Sequence, residues 1–323
     1  MVTSASALRI VFFGTPEFSV PTLQALQQSR HQVVAVVTQP DRARGRGHRS
    51  QAGPVKQFAT QHGLLALQPE RMRDAEFLAS LRALAADLGV VVAYGRILTQ
   101  TILEIPRLGF VNVHASLLPR YRGAAPIHRA VMAGDTQTGV TIMRVVQALD
   151  AGPMLSKVSR AIDPDETSED VERDLAAIGA SALLGVVDAL AEGRATEEPQ
   201  RGEDATYAPK IERADGIIDW SRPAVAIHNQ IRGLHPWPHA SADLDGERVI
   251  LHRSAVESGD DSNGSPGRIL TAEDGRLVVK TGQGLLRLVT LQREGRRPVS
   301  AKEFLAGYRV KPGATFQKTR LPE

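Results

Sequence analysis

The residues best suited to chemistry in this sequence are Asn112 and His114, in the run Phe110-Val111-Asn112-Val113-His114-Ala115-Ser116-Leu117-Leu118-Pro119. The run begins as a buried strand, and alternate residues of a strand point the same way, so the amide and the imidazole share one face. Asn offers a donor and an acceptor, and His can serve as acid, base or donor near neutral pH. Ser116 to Pro119 then turns sharply, presenting backbone groups and an apolar wall. Asp150, in Ala148-Leu149-Asp150-Ala151-Gly152, follows a second apolar strand that includes Gly139 to Met143. A carboxylate beside an imidazole favours its protonated form and can orient a water for proton transfer. Either residue alone fits an ordinary strand-end histidine or loop aspartate. Asn, His and Asp together at strand ends point to a reacting site.

A second chemistry lies in Asp41-Arg42-Ala43-Arg44-Gly45-Arg46-Gly47-His48-Arg49, a positive loop whose glycines deny it a stable helix. It reads either as solvated surface or as an arm for phosphates. Arg120, Arg122 and Arg129 flank the Ser-Leu-Leu-Pro turn, and Arg287, Arg293, Arg296, Arg297, Lys302, Arg309 and Lys311 make the C-terminal part basic. Other chemistries are excluded or unsupported. The chain has no cysteine, which removes thiol catalysis, disulfides and cysteine-ligated zinc. The turn Gly14-Thr15-Pro16 lacks the Gly-x-Gly-x-x-Gly of a dinucleotide site, and no Gly-x-Ser-x-Gly elbow occurs. The nine histidines read as scattered, without ligand spacing, so no metal is expected.

Positioning these residues requires elements. Apolar runs at Arg9 to Phe13, Val33 to Val37, Leu88 to Ala93, Phe110 to Val113 and Val140 to Val146 alternate with helical patterns, the first from about Glu17 to Gln28. Continuous apolar strands separated by helices predict a doubly wound, mostly parallel α/β sheet, which binds ligands beyond the carboxyl ends of its strands. A helical pattern from about Ser168 to Leu190 closes this part. Residues 191–208, rich in Glu, Arg, Gly and Pro, read as a linker between a catalytic domain at 1–190 and a second domain at 209–323. Short strands at Arg248 to His252, Arg268 to Leu270, Leu277 to Lys280 and Leu285 to Leu291 predict a small β-barrel there, a common nucleic-acid platform. A chain of 323 residues with 42% hydrophobic and 23% charged residues is ordinary globular material, and its net charge of +3 is only mildly basic. No apolar run is expected to reach the ~20 residues that cross a bilayer. The short polar start from Met1 to Ala7 is unlike a secretory signal, so the expectation is a cytoplasmic monomer without membrane attachment.

The sequence resembles the folate-dependent formyltransferases, and within them the methionyl-tRNA formyltransferase family, along nearly its whole length. The resemblance is carried by Phe13-Gly14-Thr15-Pro16-Glu17-Phe18, Thr38-Gln39-Pro40-Asp41-Arg42 with Gly45-Arg46-Gly47, Pro54-Val55-Lys56, and Val91-Val92-Ala93-Tyr94-Gly95. It continues in Asn112-Val113-His114, Ser116 to Pro119, Arg122 to Ile127, Gly139 to Met143, Ile218-Asp219-Trp220 and Pro236-Trp237-Pro238. Asn-x-His with a later Asp belongs to the wider superfamily; the arginine-rich insertion and the second domain point to tRNA. The resemblance implies a Rossmann-like catalytic domain joined to an OB-like barrel that binds tRNA. It implies catalytic roles for Asn112, His114 and Asp150, and 10-formyltetrahydrofolate as formyl donor to methionyl-initiator tRNA. It further implies a folate pocket of Ser116, Leu117, Leu118 and Pro119 with Arg96, Ile97 and Leu98 as a wall, and tRNA contact by Arg42, Arg44, Arg46 and Arg49. Ala115 stands where glycine is frequent, His48-Arg49 replace a common lysine pair, and Pro153 stands where an acid often occurs. The rivals are a formyltransferase acting on a purine precursor or amino sugar, a formyl-folate hydrolase, and a non-catalytic tRNA-binding protein.

Overall fold

The structure is a computed structural model and describes residues 7–44, 49–259, 264–311 and 313–319. The helices are α1 (Val20–Gln27), α2 (Pro54–Gln61), α3 (Ala75–Ala83), α4 (Gln100–Leu103), α5 (Pro126–Ala133), α6 (Ser168–Ala191), α7 (Ala224–Gly233) and α8 (Ala301–Gly307). The chain divides into two compact units. The first holds residues 1–124, 138–160 and 172–208; the second holds 125–137, 161–171 and 209–323.

The first unit contains a seven-stranded sheet of β1 (Arg9–Gly14), β2 (Gln32–Val37), β3 (Ala66–Leu67), β4 (Leu88–Val92), β5 (Phe110–His114), β6 (Gln137–Arg144) and β7 (Met154–Ala161). Their spatial order is β7-β6-β5-β4-β1-β2-β3. Strands β1 to β5 pair in parallel, and β6 joins β5 antiparallel. From Ile10 onward β1 is buried at every position, as a strand covered on both faces must be. Its Phe13 ring packs edge-on against Tyr94 at 5.3 Å and Phe110 at 5.4 Å. Strand order reverses at β1, so the turns after β1 and β4 open a crevice at the carboxyl edge.

Helix α6 corrects one expectation: by length and composition alone it is apolar enough to cross a bilayer. Its buried stripe of Leu175, Leu183 and Val187 recurs at helical spacing. A Cβ on Gly179, in the same stripe, would stand 2.8 Å from Val113 Cγ1, so this helix lies close on the sheet. That is the packing of a core helix.

The second unit is the expected small antiparallel barrel. Its strands are β8 (Ala240–Leu244), β9 (Glu247–Glu257), β10 (Ile269–Glu273), β11 (Arg276–Lys280), β12 (Leu285–Arg293) and β13 (Gln317–Lys318), in the order β10-β11-β12-β9-β8-β13. The C-terminal segment brings the two edges together: Phe316 N–H donates to Gly267 O at 2.8 Å, Ile269 N–H donates to Ala314 O at 2.9 Å, and β13 pairs β8. Trp220, Phe316, Leu277, Leu286 and Phe304 fill the interior. Helix α8 starts at a capping box in which Ser300 and Glu303 satisfy each other's backbone N–H groups. Helix α5 opens on Pro126 and stops at left-handed Gly134.

Candidate functional site

Asn112 and His114 lie on β5, with His114 at its carboxyl end. Antiparallel pairing sets Asn112 opposite Met143 and His114 opposite Thr141. Strand β6 therefore ends at Arg144, opposite Val111 and away from His114. Asp150 reaches the histidine because the following loop folds back, pinned where Arg144 N–H donates to Pro153 O at 2.8 Å. His114 Nδ1 and Asp150 Oδ2 are 3.7 Å apart. The other nitrogen, Nε2, faces the Tyr121 carbonyl at 3.0 Å. A carbonyl only accepts, so Nε2 carries a proton, and Nδ1 is the nitrogen turned to the carboxylate. At 3.7 Å the pair is too long for a hydrogen bond and is spaced for a group to enter or for closure around one. Asn112 is half-buried beside it.

Asp150 adopts a left-handed φ of +47°, uncommon for a residue with a Cβ. Two contacts hold it: Gly123 N–H donates to Oδ2 at 2.8 Å, and Gln200 Nε2 donates to its carbonyl at 2.8 Å. Gln200 also donates to Gly152 O at 2.8 Å and accepts from Arg122 at 2.7 Å. Gln200 lies in the stretch whose composition reads as a linker. That stretch is a strap: Glu198 bridges Met154, Thr206 takes Tyr121 N–H, and Tyr207–Ala208 pairs in parallel with Arg122–Gly123. It fixes the loop that supplies both the Tyr121 carbonyl and the Gly123 N–H. No side-chain motif marks these roles; only the glycine at 123, with its φ of +120°, is a signal in sequence.

The expected folate residues divide by exposure. Ile97 is 83% exposed just past β4, an unusual position for an apolar side chain, whereas Leu98 is 6% exposed and belongs to the core. Arg96 donates to the carbonyls of Pro69 and Glu70 at 2.9 and 3.0 Å. Leu118 is buried with Met143 and Met154, while Leu117 and Pro119 are half-buried. Buried Ser116 shapes the turn, donating to Arg120 O at 2.7 Å. Thr141 Oγ1 donates to Ser116 O at 2.7 Å and accepts from Leu118 N–H.

At the other side of the crevice, Gln39 Nε2 donates to Tyr94 O at 2.8 Å, and Lys56 Nζ meets Asp41 Oδ2 at 2.5 Å. Lys56 and Gln68 donate to the Asp41 carboxylate and hold it below the usual carboxylate range. The basic segment is a hairpin at its base: Arg42–Arg44 pairs antiparallel with Arg49–Gln51, with Arg44 opposite Arg49. Arg46 lies outside the described residues. Of the arginines near the Ser-Leu-Leu-Pro turn, Arg122 serves Gln200, and Arg129 is tied to Asp215 at 2.9 Å. In the second unit a cavity of about 520 Å³ is lined by Arg293, Arg296, Arg297 and Tyr308, with the Arg293 guanidinium 5.1 Å above the Tyr308 ring. One sequence reading is overturned here. The histidines are not all scattered, since His235, His239 and His252 converge in that unit.

Residues 8–187 match the model of the Formyl transferase family, and residues 210–309 match Formyl transferase, C-terminal domain. A methionyl-tRNA formyltransferase of Geotalea uraniireducens is 44% identical, with 97% of this chain and 99% of that protein covered. Another, of Stutzerimonas stutzeri, is 49% identical over 90% of this chain and 92% of its own. Among solved structures, WlaRD, a sugar 3N-formyl transferase crystallised in the presence of dTDP and 5-N-formyl-THF, superposes with a TM-score of 0.66. It is 15% identical and covers 90% of this chain and 100% of its own. HypX from Aquifex aeolicus in complex with tetrahydrofolic acid gives a TM-score of 0.65 at 18% identity over 98% of this chain. The chain spans about half of HypX, 51% of its length. At such identities the likeness shows the fold alone.

Proposed function

The chain belongs to the methionyl-tRNA formyltransferase family, and from that premise we propose how its residues carry the reaction. The protein transfers the formyl group of 10-formyltetrahydrofolate to the α-amino group of methionyl-initiator tRNA. The observation that carries the residue assignment is the buried His114, tied through Nε2 to Tyr121 O, with Asp150 3.7 Å from Nδ1. The folate supplies an activated formyl group. The neutral methionyl amine attacks its carbon, a C–N bond forms, and negative charge grows on the formyl oxygen. His114, protonated, and the Asn112 amide donate to that oxygen as an oxyanion hole does. Asp150, directly or through a water, takes the proton from the attacking amine and returns it to the folate nitrogen as the old C–N bond breaks. Protons and electron pairs balance, no covalent enzyme intermediate forms, and no metal is invoked.

Exposed Ile97, with half-buried Leu117 and Pro119, offers an apolar wall for the pteridine. Ser116, Leu118, Arg96 and Leu98 hold that wall in shape. The basic segment, with Arg42, Arg44, Arg46 and Arg49, and separately the arginine-lined cavity of the barrel, are the features that support tRNA binding. In this reading residues 1–190 are the catalytic domain and 209–323 the tRNA-binding domain. The protein works as a cytoplasmic monomer without a membrane.

The test is formyl transfer from 10-formyltetrahydrofolate to charged initiator tRNA, beside free methionine and a glycinamide-type amine. Transfer confined to the charged tRNA is expected; transfer to a small amine alone would overturn the tRNA assignment. His114→Ala and Asp150→Ala should each lower kcat by roughly two to four orders of magnitude with little change in tRNA binding. Near-normal turnover in either variant removes that residue from the mechanism.

A further inference from the structure

Three histidines of the second unit meet although nothing in formyl transfer uses them. His235 follows α7, His239 precedes β8, and His252 lies on β9; one ring nitrogen of each falls within 4.8 Å of the other two. The rings of His239 and His252 are 4.3 Å apart, and those of His235 and His239 are 5.2 Å apart.

Hydrogen bonds on the outer side set the tautomers. His235 Nε2 faces Glu169 Oε2 at 3.2 Å, and a carboxylate accepts, so the proton sits on Nε2. His252 Nε2 faces Gln292 Oε1 at 2.8 Å. The Gln292 amide nitrogen donates to Arg296 O at 2.7 Å, which confirms Oε1 as the acceptor toward His252. Both rings thus keep an Nδ1 lone pair. The Nδ1 atoms of His235 and His239 are buried and have no hydrogen-bond partner among the described residues, a costly state for a polar atom. An imidazole whose outer N–H is held by a carboxylate or amide while its other nitrogen stands bare has the arrangement of a metal ligand.

The backbone also departs from regularity to bring these rings together. The β9–β12 ladder slips between Leu251 and Arg253, so His252 is the bulged residue; bulges re-aim side chains. His239 takes a left-handed φ of +65°.

We propose that His235, His239 and His252 form a three-histidine site for a divalent transition metal ion, Zn²⁺ before others, that ties the loop between α7 and β8 to β9. Neutral imidazoles without thiolates suit zinc, copper, nickel or iron, and three protein ligands leave a fourth position for water. Tetrahedral Zn–N bonds of about 2.0–2.1 Å set nitrogens roughly 3.3 Å apart, so the rings close by up to about 1.5 Å on binding. The ion is structural and stands outside the formyl-transfer steps.

The test uses the full chain without a histidine tag, stripped with a chelator and titrated with Zn²⁺ by calorimetry and with Co²⁺ by visible absorption. One equivalent is expected, together with a melting temperature raised by saturating Zn²⁺. His252→Gln and His239→Asn should each weaken binding by about 100-fold or more, and Glu169→Gln by roughly 10-fold. Asn tolerates the left-handed backbone at 239, and Gln keeps a partner for Gln292, so both variants should remain folded by circular dichroism. His62→Gln, in the first unit, should bind like the parent protein. Absence of stoichiometric binding in the parent, or equal binding in folded His239 and His252 variants, overturns the proposal.

Discussion

Asp150 combines two demands that conflict in an isolated chain: a left-handed backbone and a carboxylate held beside an imidazole. Such a conformation costs on the order of 1–3 kcal/mol and persists where its surroundings over-determine it. Here Gln200 supplies much of that determination, clasping the carbonyls of Asp150 and Gly152 while Arg122 fixes its other end. In the proposed reaction Gln200 does not itself take part; it positions Asp150, the proposed proton carrier. Gln200→Ala should therefore lower kcat by up to about 100-fold, the cost of a carboxylate displaced by an ångström, with the KM for charged tRNA unchanged. Steady-state kinetics on the folded variant separate the two constants. A normal kcat would mean that Gly123 alone holds the loop.

At the scale of elements, the strap and the Tyr121–Gly123 loop act as one piece, because Arg122–Gly123 pairs with Tyr207–Ala208. Gly123 has a φ of +120°, and a Cβ there would come within 2.8 Å of Ala208 O. Neither the backbone angle nor the contact admits a side chain. Gly123→Ala should destabilise the protein by about 1–3 kcal/mol and weaken catalysis by displacing the N–H that Asp150 accepts. Denaturant melts measure the first effect and single-turnover formyl transfer the second. A variant of parent stability with full turnover would show that the ladder yields freely. Composition alone suggests a linker here because Glu, Arg, Gly and Pro do not form a core. Backbone groups of Glu198, Tyr207 and Ala208, with the side chains of Gln200 and Thr206, nevertheless do the fastening, and bonding to backbone groups leaves little trace in residue type.

At the scale of the whole molecule, the proposed tRNA surface makes an electrostatic prediction. Arg296 and Arg297 are exposed beside the arginine-lined cavity of the barrel. Each phosphate contact contributes about one unit to the slope of log affinity against log salt concentration. Arg296→Ala with Arg297→Ala should flatten that slope by about 1–2 units while leaving transfer from the folate to bound tRNA intact. Filter binding across a salt series measures it. An unchanged slope would reduce these arginines to ordinary solvated surface.

The sequence by itself determined the sheet, the barrel and the polar pair on β5. Strands buried on both faces must be continuously apolar, and alternate residues of a strand share a face, so Ile10 to Gly14 and Asn112-x-His114 announce themselves locally. Only the tertiary structure decided that β6 runs antiparallel, so that Asp150 arrives by a loop folded back from Arg144. It also decided that Gln200 lies 50 residues from the carbonyl it holds, and that His252 meets His235 and His239 through a bulge. Chain separation hides such partners. Hydrogen bonds to backbone groups and slips of register depend on how distant segments close on one another, and neither periodicity nor composition carries that information.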